Sequence, residues 1–149
     1  IRAWGVSNFD RGDLEECVAL PGGDMLAANQ VLYGLEHRSI EWEVAPWCRE
    51  RAVTVMAYSP LGSSSSAVGR LLGERALKAV AARRAATPAQ VALAWTLRNP
   101  GVVVIPKAAR IDHVRENAGA LAVELDATDL RELDAAFPAP PRGIALEML

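Results

Sequence analysis

Apolar residues in this chain follow two rhythms. Four short runs, Trp4–Val6, Ala27–Val31, Val53–Tyr58 and Val102–Ile105, have the length of strands and are mainly apolar, the second interrupted by Asn29 and Gln30. The third, Val53-Thr54-Val55-Met56-Ala57-Tyr58, is rich in β-branched residues, and its continuity suits a parallel strand covered on both faces. Between these runs the apolar positions recur at helical spacing. Asp10-Arg11-Gly12-Asp13 offers helix-start chemistry ahead of Leu14, Cys17, Val18 and Ala19, and Pro21-Gly22-Gly23 stops that helix. Further helices are expected over 40–51, 68–72 and 74–85. Another begins at Thr87-Pro88, which places a hydroxyl at N-cap and proline at N1, and Asn99-Pro100-Gly101 breaks it. The last two run from near Asp112 to Leu121, and from Asp126-Ala127-Thr128-Asp129 to near Phe137. Ser59–Ser66 reads as a polar loop, and a proline-rich tail follows Phe137.

Four strands alternating with helices make β-α the repeating unit, and right-handed crossovers would lay the strands side by side in one parallel sheet. A small doubly wound sheet and part of a (β/α)8 barrel both accept that order. The first normally carries a glycine-rich turn after its first strand, whereas Gly5-Val6-Ser7-Asn8-Phe9 has one glycine. A complete barrel needs about 250 residues, so the 149 present suit a single partial barrel domain over 1–149.

Composition narrows the partners. With 51% hydrophobic and 23% charged residues the chain reads as globular, and a net charge of -2, without a basic face, argues against nucleic acid or an anionic membrane. No apolar run approaches the roughly 18 residues of a membrane span. Cys17 and Cys48 lack metal-ligand spacing and read as small core residues in a reducing compartment, hence a cytoplasmic location and no metal site. The chain opens at Ile1 inside a strand, as a fragment or truncated reading frame would.

Chemistry gathers where strands end, which in a (β/α)8 barrel is the ligand-binding end. Ser7 and Asn8 can hydrogen-bond a carboxamide, or can simply cap the next helix. Gln30, in an apolar strand, faces either a liganded barrel mouth or solvent. Tyr58 offers a flat ring for stacking, and the glycine and serines after it expose groups suited to a diphosphate; a flexible serine loop would explain Ser63–Ser66 but not Tyr58. Lys107, between a strand and a helix N-terminus, is placed for phosphate, although a solvated surface lysine is the commoner fate.

The runs Gly-Val-Ser-Asn-Phe (5–9), Asn-Gln-Val-Leu-Tyr (29–33), Ala-Tyr-Ser-Pro-Leu-Gly (57–62), Thr-Pro-Ala-Gln-Val-Ala-Leu-Ala-Trp (87–95), Ile-Pro-Lys (105–107) and Arg-Glu-Asn (115–117) together resemble the aldo-keto reductase family. The segment 32–41 and the ending 133–149 resemble its bacterial small-aldehyde, methylglyoxal-type branch. The resemblance implies an α/β fold, a partial (β/α)8 TIM barrel made of about the last four β/α units plus the C-terminal helix and tail. It implies reduction of aldehydes or ketones by hydride transfer from NAD(P)H. It assigns Ser7, Asn8 and Gln30 to the nicotinamide carboxamide, Tyr58 to ring stacking, and Ser59, Leu61 and Ser63 to the loop over the pyrophosphate. Lys107 falls beside the adenosine 2′-phosphate, and Glu116 and Asn117 fall at the adenine.

His113 stands where many members carry a phosphate-clamping Arg, and Ala108 replaces a Ser. Lys107 and Arg110 nevertheless put NADP(H) ahead of NAD(H). Gly34 replaces a usual His. The family's proton-donor Tyr and its Asp, Lys and His partners lie on strands absent here, so no catalytic residue is assigned. Tyr33 belongs to a different strand, and His37 reads as a solvated surface residue. The expected partners are the cofactor, a small carbonyl substrate once a barrel is complete, and the missing half or a second copy. The alternatives are a non-catalytic nucleotide-binding module, a half barrel that assembles with a partner, and a degenerate structural remnant.

Overall fold

A computed structural model describes residues 1–149. The four apolar runs form strands β1 (Trp4–Ser7), β2 (Leu26–Leu32), β3 (Thr54–Tyr58) and β4 (Val102–Ile105). They pair in parallel in the order β1-β2-β3-β4. In register, Ser7 lies beside Gln30, Gln30 beside Met56, and Met56 beside Val103. Leu32, Tyr58 and Ile105 form the next row on the same face. Parallel pairing brings all four strand exits to one end of the sheet.

Pleating divides the strand residues between two faces. Val31, Val55 and Ala57 enter the main core, with Val6, Val102 and Val104 packed against it. On the other face Gly5 and Ser7 are exposed, and Val103 and Ile105 remain 43% and 39% exposed. Cover on both faces, expected for the third strand, is thus complete on the core face and partial on the other, where Thr54, Met56 and Tyr58 are half-buried.

Seven α-helices join these strands: α1 (Arg11–Val18), α2 (Val44–Glu50), α3 (Ser65–Gly73), α4 (Arg75–Arg83), α5 (Pro88–Leu97), α6 (Ile111–Gly119) and α7 (Ala127–Ala136). Capping boxes start three of them, pairing Asp10 with Asp13, Thr87 with Gln90, and Asp126 with Asp129. Two expectations need correction. The helix expected over 40–51 splits into a 3-10 turn at Ser39–Glu41 and α2. Pro46 has no N–H to give the carbonyl of Trp42, so one helix cannot run through. And α3 begins at Ser65 rather than Val68, because the Ser64 hydroxyl accepts from the Ala67 N–H and caps it. Of the two thiols, Cys48 is buried and Cys17 half-buried; burial pushes Cys48 up to about 11, against the pull of Arg51.

Arg38 joins the middle of the chain to its end. Its buried guanidinium donates to Glu41, to Asp134 (2.8 Å) and to the Phe137 carbonyl (2.5 Å), and lies 4.8 Å from the Trp95 ring centroid. Trp95 is fully buried on α5, whose residues from Val91 to Thr96 are all buried. Arg98 covers the same indole at 3.6 Å. A second cluster ties α4 to α7, where Arg83 and Arg84 both donate to the solvent-excluded Asp129.

Arg38→Met keeps the bulk of the side chain but strips the partner from Glu41 Oε2 and from the Phe137 carbonyl. It should lower the unfolding free energy by about 3 kcal/mol, measured by urea denaturation. Burial pushes the Asp129 carboxyl up, but Arg83, the Asp126 backbone and Arg84 hold it below 3.8. Its stabilising contribution is thus complete above that value and is lost as pH falls through the lowered folded value. Thermal melts from pH 4 to pH 2 should fall less steeply in Asp129→Asn than in the parent.

Candidate functional site

A cleft of about 760 Å³ opens at the exits of β3 and β4. Eight of the residues singled out in the sequence line it together: Tyr58, Ser59, Leu61, Ser63, Lys107, His113, Glu116 and Asn117. A smaller cavity of about 230 Å³ lies around Tyr33, Arg49 and Arg98, near the start of β4 and away from these exits.

Local backbone chemistry shapes the cleft. Ser59 leaves β3 with φ +47°, and Gly62 takes φ +105°, a region that costs most residues strain but suits glycine. The Gly62 N–H donates to the Ser59 carbonyl at 2.9 Å and closes the turn. Ser64 then caps α3, so a helix N-terminus, with its unpaired N–H groups, joins the serine-lined wall. Gln90 on α5 braces the opposite wall: its amide accepts from Thr87 N–H (2.9 Å) and donates to the Glu116 carbonyl (3.0 Å). Neither Ser64 nor Gln90 was among the expected site residues. Their signals, a serine three residues before Ala67 and the Thr-x-x-Gln box, are visible only as helix starts.

Gly34 explains how closely the loop sits. A Cβ there would lie 2.5 Å from the Pro60 carbonyl oxygen. Backbone bonds of 3.1 Å in both directions between Gly34 and His37 fold this segment into a tight turn against the loop. Glu36 in that turn holds Arg70 of α3 through two bonds of 3.1 and 3.2 Å.

Ser7, Asn8 and Gln30 lie outside the cleft lining, at the exits of β1 and β2. The Ser7 hydroxyl and the Asn8 N–H both donate to the Gln30 carbonyl, at 3.0 and 2.8 Å. Asp10 caps α1, which leaves Ser7 and Asn8 without a capping role. Asn8 has φ +57°, tolerable for Asn, and its Oδ1 is buried without a hydrogen-bond partner. Beneath it, the fully buried Asn29 grips the Phe9 backbone, donating to its carbonyl at 2.9 Å and accepting from its N–H at 3.4 Å. Asn29 was not expected as a positioning residue; its polarity inside an apolar strand was the available signal.

The tail returns to this end of the sheet. Trp42 donates to the Pro140 carbonyl (2.7 Å), Glu147 N–H to Ser39 (3.1 Å), and Leu149 N–H to the Tyr58 hydroxyl (3.4 Å). His37 is half-buried with Nδ1 3.5 Å from Glu147, so it is not the free surface residue expected. Tyr33 faces away from the cleft chemistry. Buried in the core, it donates to Glu41 and accepts from Asn99, both at 2.8 Å, and burial, reinforced by Glu41, pushes its hydroxyl well above the usual phenol range.

With this geometry in hand, residues 1–137 match the model of the aldo/keto reductase family. The chain belongs to that family. Among curated aldo/keto reductase relatives, Methylglyoxal reductase YeaE of Escherichia coli K12 is 46% identical over 149 residues, all of this chain and 52% of the relative. An aldo-keto reductase from Klebsiella pneumoniae, solved in complex with NADPH, superposes with a TM-score of 0.94 at 42% identity, over 100% of this chain and 52% of the other. A second Klebsiella pneumoniae structure, with NADP and acetate, gives 0.92 at 42% identity. The chain spans about half the length of these relatives and has the fold of part of an aldo/keto reductase barrel. No helix is long and apolar enough to cross a membrane.

Gly34→Ala should cost about 2 kcal/mol of stability by forcing the loop off Pro60. Gly69→Ala, in helix α3 with nothing within 4 Å, should instead gain up to about 1 kcal/mol. Urea denaturation of the two variants side by side checks the contrast.

Proposed function

We propose that this chain is the cofactor-binding, C-terminal half of an NAD(P)H-dependent aldo-keto reductase that reduces aldehydes or ketones. The observation that carries the reading is the gathering of Tyr58, Ser59, Leu61, Ser63, Lys107, His113, Glu116 and Asn117 on one cleft. The orphan Asn8 Oδ1 adds to it. A buried acceptor without a partner costs about 1–3 kcal/mol, and a carboxamide N–H would satisfy it.

The residues fit a dinucleotide by region. Asn8, with Ser7 and Gln30 beside it, would hold the carboxamide, and Tyr58 would stack on the nicotinamide ring. The serine loop and the start of α3 would take the diphosphate. Lys107, with Arg110 nearby, supplies cationic character for a further phosphate, hence NADP(H) ahead of NAD(H), even with His113 in place of a clamping Arg; Glu116 and Asn117 would meet the adenine. The bound cofactor supplies hydride; this chain's residues hold and orient it.

Proton delivery to the carbonyl oxygen is assigned to no residue here. The one other tyrosine, Tyr33, is buried in a paired network. Loss of a general acid commonly costs 100- to 10,000-fold or so, so the chain alone should reduce aldehydes at a negligible rate. Completion of the barrel by its other half, or association through the open β1 and β4 edges, would cover the exposed Val103 and Ile105. A nucleotide-binding module without catalysis is the second reading, favoured by the intact cleft.

Titration with NADPH should quench the chain's tryptophan emission, and Tyr58→Ala should weaken that binding about tenfold. Unaltered binding in Tyr58→Ala would count against the stacking role. Absence of quenching in the parent would remove the cofactor reading.

A further inference from the structure

At the end of the sheet opposite the cleft, behind the starts of β3 and β4, a cavity of about 230 Å³ lies between α2 and the loop that joins α5 to β4. Val53, Val55 and Val102 give it apolar walls, and its charged lining is Arg49, Arg98 and Glu41. Pockets for larger organic ligands begin at about 300 Å³, so this space suits a group of a few heavy atoms.

The charges on its lining do not cancel. Glu41 is the one carboxylate, and it is already held. Arg38 Nε and Nη2 donate to its Oε2 at 3.1 and 2.8 Å, and the Tyr33 hydroxyl donates to its Oε1 at 2.8 Å. Arg98 stands 3.6 Å from that carboxylate, beyond a hydrogen bond, and spends only Nη1, on the Trp95 carbonyl at 2.6 Å. Its guanidinium lies on the Trp95 indole at 3.6 Å, which fixes the plane of the fork. Arg49, exposed on α2, has no ion pair or hydrogen bond within the chain. Neutral donors stand beside these cations. Asn99 gives one Nδ2 hydrogen to the Tyr33 hydroxyl at 2.8 Å and keeps the other. The Gly101 carbonyl accepts from Val55 N–H at 2.9 Å, while its own N–H has no partner in the chain.

We propose that this cavity binds a small oxyanion of two charges, of the phosphate or sulfate class, between Arg49 of α2 and Arg98 at the end of α5. A guanidinium presents its N–H groups as a planar fork that matches two oxygens of such an anion, and two cations suit a dianion better than a monoanion. Bound there, the anion ties α2 to the loop that starts β4. The site shares no residue with the cleft and stands whether or not the cleft takes a dinucleotide.

Isothermal titration calorimetry of the full chain at about pH 8, with ionic strength held constant by sodium chloride, gives the test. Sodium phosphate and sodium sulfate should each bind, and sodium acetate about tenfold more weakly. Arg49→Gln should weaken phosphate about tenfold, and Arg49→Lys by less, since the charge stays but the fork is lost. Arg49 has no bond to lose inside the chain, so without phosphate the urea midpoint of Arg49→Gln should equal that of the parent. A lower midpoint would make the loss structural and overturn the proposal. Lys107→Gln, at the other end of β4, separates this site from the cleft and should bind phosphate as the parent does. Absence of phosphate and sulfate binding in the parent, full binding in Arg49→Gln, or loss of binding in Lys107→Gln also overturns it. Acetate held as tightly as sulfate overturns the assignment to a dianion.

Discussion

A buried guanidinium has to find acceptors on every side, and Arg38 finds them on segments far apart in the chain. Glu41 lies one turn away, Asp134 and the Phe137 carbonyl at the end of α7, and the Trp95 indole beneath it on α5. A buried charge that loses partners is heavily penalised, so these elements cannot drift apart independently. The tail leaves α7 at this point, and the placement of Pro140, Glu147 and Leu149 against Trp42, Ser39 and Tyr58 follows from it. The edge of the sheet's exit end is thus fixed from the helical layer behind the sheet.

The cleft itself depends on two kinds of support. Parallel register brings the strand exits together, and side chains absent from its lining hold the exits in place. Asn29 grips Phe9, and Gln90 spans α5 and α6. Such bonds carry no chemistry, but they keep the cleft residues in position where the backbone is irregular. The left-handed residues Asn8 and Ser59 stand at the exits of β1 and β3, and strain of this kind persists only where surrounding contacts enforce it.

Much of this was legible in the sequence, for identifiable reasons. Strands announced themselves by apolar continuity, and α5 by Thr87-Pro88 and Asn99-Pro100-Gly101, because those signals act over a few residues. Tyr58, the serine loop and Lys107 could be chosen because they sit directly after strands, whereas His113, Glu116 and Asn117, on α6, were placed only by the family resemblance. What local rules missed was non-local. The break before α2 depends on an N–H that Pro46 lacks, and the start of α3 on one hydroxyl among four serines. The pairing of His37 with Glu147 spans most of the chain. Nor could periodicity tell that the second face of the sheet is only partly covered, since a barrel interior and a buried sheet demand the same residues.

The contact between Gly34 and Pro60 has a consequence for how such chains diverge. With no room for even one methyl group between them, neither the turn nor the loop can change alone. A relative with a bulky residue at the first position must route its loop along another path. A change at either place therefore has to be matched at the other, and a graft of the loop into this chain has to carry the turn with it.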